Sequence, residues 1–318
     1  MQIRSQPVLP LTRWLLLGFV LLAFGLYTLG LRQNLPYDHE VDESTFVERA
    51  VYMVATGDMN PGWFGHPGST VLYPLTGLFS FWHRFTTPNW DMPPDSGILD
   101  RFTQNITEFY YLGRLLSVVY LVWSVPLVYL IGRRMFTAGV GLAGAFLFFW
   151  SPLMLFQTHV VRTDSAALFF SLLGMWLCLR VYEAPTYRNY IFAGAAIGLA
   201  VASRYFMGAL VFSLLLATGA LMWRKSEGNG RILMPRLILS LTIALITFAL
   251  TTPYFFLDFG TVVTNFIEEG RSTHLGADGL TPLGNLLWYL SNAIPTALKW
   301  PLTLFAVVGI GLSLWQRR

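Results

Sequence analysis

The chain has 318 residues, of which 54% are hydrophobic and only 12% charged, with a mean hydropathy of +0.53. Soluble domains carry about 25% charged residues, so a soluble globule is excluded, and the aromatic content of 16% excludes disorder. The formal net charge is +4, and a single cysteine, Cys178, excludes an intrachain disulfide and a cysteine metal cluster.

The first apolar run, residues 14–31, follows Arg4 and Arg13. It is longer than a signal-peptide core and no small-residue cleavage site closes it, so it reads as a retained transmembrane helix. Residues 32–109 then form a long polar connection that opens with four carboxylates, Asp38, Glu40, Asp42 and Glu43. Thr45 with Glu48 three residues later reads as a capping box. Phe46, Val47, Ala50, Val51 and Val54 follow at helical spacing. The pattern predicts an amphipathic helix lying on the membrane and closed by Gly57-Asp58, with Asp42 and Glu43 at or just before its first turn. Those two acids read either as charges suited to a helix amino terminus or as a reactive cluster at the membrane surface. Asp38 and Glu40 read as solvated loop charge. His66 precedes a second interfacial run, 67–82, either as a polar residue at a bend or as a cation or donor for an anionic headgroup.

Further apolar runs at 110–132, 138–156, 165–182, 191–203, 206–223, 237–257 and 299–315 predict about eight spans in all, of which 191–203 is short. Between the third and fourth stand Arg162, read as an interface anchor, and Asp164, read either as a helix-start charge or as a site acid. Arg204 ends the fifth run, where a cation either snorkels or binds a lipid phosphate. A second long outer segment, 258–298, carries Arg271 and His274. Three apart, they would share a face on a helix or belong to a solvated loop. The five histidines show no H-E-x-x-H spacing.

With the amino terminus in the cytoplasm, the inner segments hold 12 basic and 2 acidic residues, leaving 9 basic and 15 acidic outside. Basic clusters in short inner loops favour this orientation, and the long outer loops place the chemistry outside. Carboxylates are concentrated in those loops. A transporter would carry them within its spans, so transport is the alternative reading, together with a non-catalytic membrane scaffold.

The residues resemble the GT-C membrane glycosyltransferases, most closely the family-39 branch of protein O-mannosyltransferases and lipid A aminoarabinose transferases. The likeness rests on Asp42-Glu43 after the first span, on Phe46, Ala50, Met53, Gly57-Asp58 and Pro61, and on His66-Pro67 leading to Tyr73-Pro74-Leu75. It continues through Gly113 to Ser117, Ser151-Pro152, Asp164 and Thr252-Pro253-Tyr254 with Asp258, and covers about residues 14–290. Where relatives carry lysine, this chain has His66 and Arg204.

The resemblance implies an all-α polytopic membrane protein. Its fold would be a GT-C-like bundle of about eight transmembrane helices, with interfacial helices in the first outer loop. Residues 1–318 would form one transmembrane glycosyltransferase domain, without a C-terminal outer domain. The implied reaction passes a sugar from a polyprenyl phosphate to an acceptor hydroxyl, with inversion. Asp42, Glu43 and Asp164 are then the catalytic group: Asp42 as general base, Glu43 supporting it or holding the acceptor, and Asp164 positioning the sugar. His66, Arg204, Arg271 and His274 are implied for the donor phosphate. No metal ligand is assigned, and because relatives differ in metal use a divalent metal stays open. The implied partners are the lipid-linked donor, a lipid, glycan or protein acceptor and membrane lipids, with no nucleic acid. The implied location is a bacterial inner membrane, with the site facing the periplasm.

Overall fold

The computed structural model describes residues 10–35, 41–86, 97–224, 229–270 and 281–315, and among these it is all helix and turn, with no strand. The protein is an all-α polytopic membrane protein. Helix α1 (Pro10–Thr28) is followed by three helices in the first long connection, α2 (Val41–Thr56), α3 (Ser69–Phe85) and α4 (Ile98–Gln104). The bundle continues with α5 (Ile106–Met135), α6 (Ala138–Phe149), α7 (Pro152–Thr158), α8 (Thr163–Glu183) and α9 (Tyr187–Ser203). A short turn of tighter helix, Tyr205–Ala209, leads into α10 (Leu210–Arg224) and α11 (Asn229–Thr251). Two helices, α12 (Tyr254–Leu257) and α13 (Phe259–Glu269), follow, and α14 (Pro282–Trp288) and α15 (Ile294–Trp315) end the described chain.

Among the described residues, six helical stretches are long and apolar enough to cross a membrane: Leu11–Thr28, Ile106–Met135, Thr163–Glu183, Tyr205–Trp223, Gly230–Thr251 and Pro282–Leu312. The predicted span 138–156 is instead two helices, α6 and α7, bent by 54°. The cause is local: Pro152 occupies the first turn of α7 and cannot continue the hydrogen-bond ladder of α6. Counted as one span, this pair makes a seventh. The fifth predicted span, α9, has 17 residues, about 25 Å of helix, shorter than a ~30 Å hydrocarbon core. At the other extreme, the last apolar stretch starts at Pro282, well before residue 299. It is interrupted at Lys299, whose φ of 62° is left-handed.

Packing is closest between α9 and α11. A Cβ at Gly194 would lie 2.2 Å from the Ser240 carbonyl oxygen, and one at Gly198 would lie 2.4 Å from that of Ala244. Small residues four apart let the two backbones touch, the common device where no hydrophobic effect drives helices together within lipid. The outward faces carry large apolar side chains such as Leu216, Trp223 and Leu250, as a lipid solvent requires. Helices α2, α3 and α4 build a separate core with the start of α5 around Phe46, Leu72, Phe79 and Phe109. The first connection is thus a folded cap on one end of the bundle.

Side-chain contacts sort the two ends. Glu43, Arg114, Asp164 and Arg204 meet at the capped end. Arg134 meets Glu183, and Arg236 donates to the Pro185 carbonyl, at the other.

Candidate functional site

The site is assembled around a buried ion pair. Glu43, in the first turn of α2, receives Arg114 Nε and Nη2 at 2.8 and 2.9 Å, and neither side chain has exposed surface. The remaining polar capacity is also used. The Val161 N–H donates to Glu43 Oε1 at 3.1 Å, and Arg114 Nη1 donates to the carbonyls of Leu31 and Gln33 at 3.0 and 3.2 Å. A buried pair of this kind persists only when its lone pairs and protons are satisfied. It gathers the end of α1, the start of α2, the outer part of α5 and the link before α8. Gly113 contributes by omission: a Cβ there would lie 2.6 Å from Val161 Cγ2. Ser117 completes the seat by donating to the Val160 carbonyl at 2.9 Å.

That seat aims the next residues into a ladder of alternating charge. Arg162 Nη2 is 2.8 Å from Asp42 Oδ2, Arg162 Nε is 3.4 Å from Asp164 Oδ2, and Arg204 Nη2 is 2.9 Å from the same Asp164 oxygen. Arg204 Nε also donates to Thr163 Oγ1 at 2.9 Å. Asp164 stands in the first turn of α8, where the helix dipole favours a carboxylate. Arg204 lies in the extended residue between α9 and the tight turn after it. Two carboxylates and two guanidiniums balance. Asp42 terminates the ladder and is its most open member, with 42% of its side chain exposed against 14% for Arg204.

His66 belongs to the same group. Its Nδ1 is 3.0 Å from the Gly65 carbonyl oxygen, which makes Nδ1 the protonated nitrogen of the neutral ring, and its ring meets the Trp63 ring edge-on at 5.4 Å. Gly68 lets the chain turn back into α3: its φ is +60°, and a Cβ there would lie 2.8 Å from the Phe46 ring. Burial and the Arg204 charge push the His66 pKa down, against the opposing pull of Asp42 and Glu269. The imidazole therefore favours its neutral form, in which Nδ1 serves the Gly65 carbonyl and Nε2 is an acceptor; protonation would make Nε2 the donor or cation for an anionic headgroup.

The sequence reading is sharpened at several points. The capping box at Thr45 and Glu48 does not start α2, which begins four residues earlier at Val41 and places Asp42 and Glu43 in its first turn. Glu43 has no exposed surface with which to hold an acceptor. Arg162, read as an anchor, links Asp42 to Asp164. Glu269, at the end of α13, was not singled out, yet its carboxylate lies so close over Gly65 that a Cβ there would be 2.9 Å from it. An arginine inside an otherwise apolar span is the sequence signal that would have marked Arg114. Arg271, His274, Asp38 and Glu40 lie outside the described residues.

Asp258 ties α13 to the first connection. It accepts from Asn60 Nδ2 at 2.9 Å and Thr261 Oγ1 at 2.8 Å, bonds that hold its pKa below the usual carboxylate value. Asn265 Oδ1 receives the Phe64 N–H at 2.8 Å, and the Tyr205 hydroxyl donates to the Phe64 carbonyl at 2.9 Å. Among the described residues no three His, Cys, Asp or Glu side chains converge as a metal site.

Two clefts open from these elements. One, of about 630 Å³, has polar walls from α2 and the loop after it, including Ser44, Thr45, Glu48, Asp58 and Asn60. The other, also about 630 Å³, is mainly apolar and is lined by Tyr73, Tyr120, Phe170, Leu199, Leu250 and Tyr254. Its wall joins the ladder through Thr70, whose hydroxyl is 2.8 Å from that of Ser203, the neighbour of Arg204.

Residues 104–254 match the family model described as dolichyl-phosphate-mannose-protein mannosyltransferase, a glycosyltransferase family of the GT-C type. The segment contains Arg114, Arg162, Asp164 and Arg204, and the match agrees with the resemblance read from the sequence. No curated protein matches the chain.

Proposed function

Starting from that family match, we propose that the protein transfers a sugar from a polyprenyl-phosphate donor to an acceptor hydroxyl, with inversion, at the end of the bundle carrying Asp42. The observation that carries this reading is the ladder from Asp42 through Arg162 and Asp164 to Arg204. It joins an open carboxylate to a cation beside an apolar cleft. A hydroxyl is a poor nucleophile and needs a base within hydrogen-bond reach. A departing lipid phosphate needs its charge stabilised more than it needs a proton.

In this scheme the acceptor oxygen forms its bond to the anomeric carbon as its proton passes to the Asp42 carboxylate. The carbon–oxygen bond to phosphate breaks, and its electron pair leaves with the polyprenyl phosphate. Arg204 stabilises that phosphate, with His66, whose Nε2 can donate only when the ring is protonated, and Arg271 and His274 as further candidates. Asp164 holds Arg162 and Arg204 in register and positions the sugar. Glu43 acts through position, fixing the turn that bears Asp42. The lipid tail takes the apolar cleft, and the acceptor, whether lipid, glycan or protein, approaches through the polar one. The basic loops support a non-cytoplasmic position for this end, which in this reading faces the periplasm of a bacterial inner membrane.

The test is transfer of radiolabelled sugar from a polyprenyl-phosphate donor by purified protein in nanodiscs. It is joined to mass spectrometry of the glycolipids and glycoproteins lost when the gene is deleted. Donor consumption that disappears in Asp42→Asn supports the reading. Solute uptake into proteoliposomes without any sugar transfer would replace it with transport.

A further inference from the structure

A second groove, reaching the opposite end of the bundle, shares only Leu199 with the apolar cleft described above. It holds about 510 Å³ and runs between α8 and α9, with Arg180 and Arg188 at its mouth and Leu173, Leu177, Phe192 and Leu199 along its length. We propose that it binds an anionic diacyl phospholipid of the leaflet at this end, with the phosphate between the two arginines and the acyl chains along the apolar walls.

Among the described residues no carboxylate pairs with Arg180 or Arg188. Glu183, the acid described at this end, is taken by Arg134 at 3.3 Å. Arg180 lies over the Trp176 ring at 5.4 Å and Arg188 over Phe192 at 5.6 Å. Both contacts leave the guanidinium edges, which are the phosphate-binding atoms, available. A basic pocket between transmembrane helices at the headgroup level is what an anionic lipid recognises, and the apolar walls below it give the acyl chains a seat.

The backbone at the mouth is already set. Asn189 Nδ2 donates to the carbonyls of Ala184 at 2.6 Å and Arg180 at 3.3 Å, closing the turn between the helices. The ligand is not the donor lipid, because Arg188 and Arg204 are at opposite ends of α9, about 24 Å apart along the axis. The bound lipid would brace the helix pair that carries Asp164 and Arg204 at its far end.

The test compares thermal unfolding, followed by tryptophan fluorescence, in nanodiscs of phosphatidylcholine alone and of phosphatidylcholine with phosphatidylglycerol. Native mass spectrometry counts the retained lipid. Phosphatidylglycerol is expected to raise the midpoint by several degrees in the parent protein and to be retained. The Arg180→Gln/Arg188→Gln double variant should lose both effects, while Arg231→Gln, an exposed arginine of α11 outside the groove, should keep them. No preference for the anionic lipid, its persistence in the double variant or an equal loss in Arg231→Gln would overturn the site. If the double variant does not insert, Arg188→Gln alone decides: it changes an exposed side chain, and an undiminished shift would reject the proposal.

Discussion

Glu43 and Arg114, 71 residues apart in sequence, form a two-point ion pair at 2.8 and 2.9 Å with neither side chain exposed. The pair joins the folded cap to the transmembrane bundle and fixes the turn that bears Asp42, the open end of the ladder. Removing one partner leaves the other charge buried and uncompensated, which costs about 3–5 kcal/mol. Glu43→Ala should therefore lower the thermal midpoint sharply, as read by size-exclusion chromatography of heated, detergent-solubilised protein. Glu43→Ala with Arg114→Met should recover part of that loss, because no lone charge remains. A single variant as stable as the parent would show that the pair does not fasten the cap.

Arg204 ends the ladder next to Ser203, whose hydroxyl meets that of Thr70 in the wall of the apolar cleft. Its bonds to Asp164 and Thr163 hold the guanidinium in place, and Arg204→Gln keeps some hydrogen-bonding capacity while removing the charge. The expected result is a raised KM for the polyprenyl-phosphate donor and a lowered kcat, with an unchanged KM for the acceptor. Steady-state kinetics with each substrate varied in turn would measure this. Unaltered donor dependence would leave Arg204 as an interface anchor.

Much of this was legible in the sequence, and the parts that were not share a physical cause. Alternating spans alone put Asp42, Asp164 and Arg204 at one end. Helix α2 followed from the spacing of Phe46, Val47, Ala50 and Val51, all buried. Its start did not, because Glu43 is drawn into a buried pair with Arg114 and the helix is extended back to Val41: a tertiary contact outweighs the local capping signal. Arg162 looked like an ordinary anchor because its two acidic neighbours come from different segments. The break at Pro152 was written in the sequence, but continuous hydropathy from 138 to 156 concealed it.

His66 gives a pH signature. Burial and Arg204 lower its folded-state pKa below the ordinary 6.5, so the unfolded chain binds the proton more readily. The resulting contribution to stability is complete above about pH 6.5 and is lost as the pH falls from there through the folded pKa. The thermal midpoint should decline between pH 7 and pH 5, and His66→Gln should flatten that part of the curve. An identical decline in the variant would assign the effect to other groups.

The sharpest prediction concerns Asp42. Asp42→Asn replaces a charge in the first turn of α2, where a carboxylate's interaction with the helix dipole is worth about 0.3–1 kcal/mol. It also weakens a partly exposed pair with Arg162, and exposed pairs contribute about 0–1 kcal/mol. The amide oxygen still accepts from Arg162, so insertion and thermal midpoint should change little. Transfer should not survive in the same way. An amide cannot take the acceptor's proton at neutral pH, and loss of a general base costs about 10²–10⁴-fold in rate. Asp164→Asn loosens both Arg162 and Arg204, so it should damage donor binding as well as turnover, and the two variants should separate in a plot of kcat against donor KM. Single-turnover transfer from a pre-bound donor would measure the chemical step directly. If Asp42→Asn transfers at nearly the parent rate while Asp164→Asn abolishes the step, the proton acceptor is Asp164, and Asp42 serves only to hold Arg162.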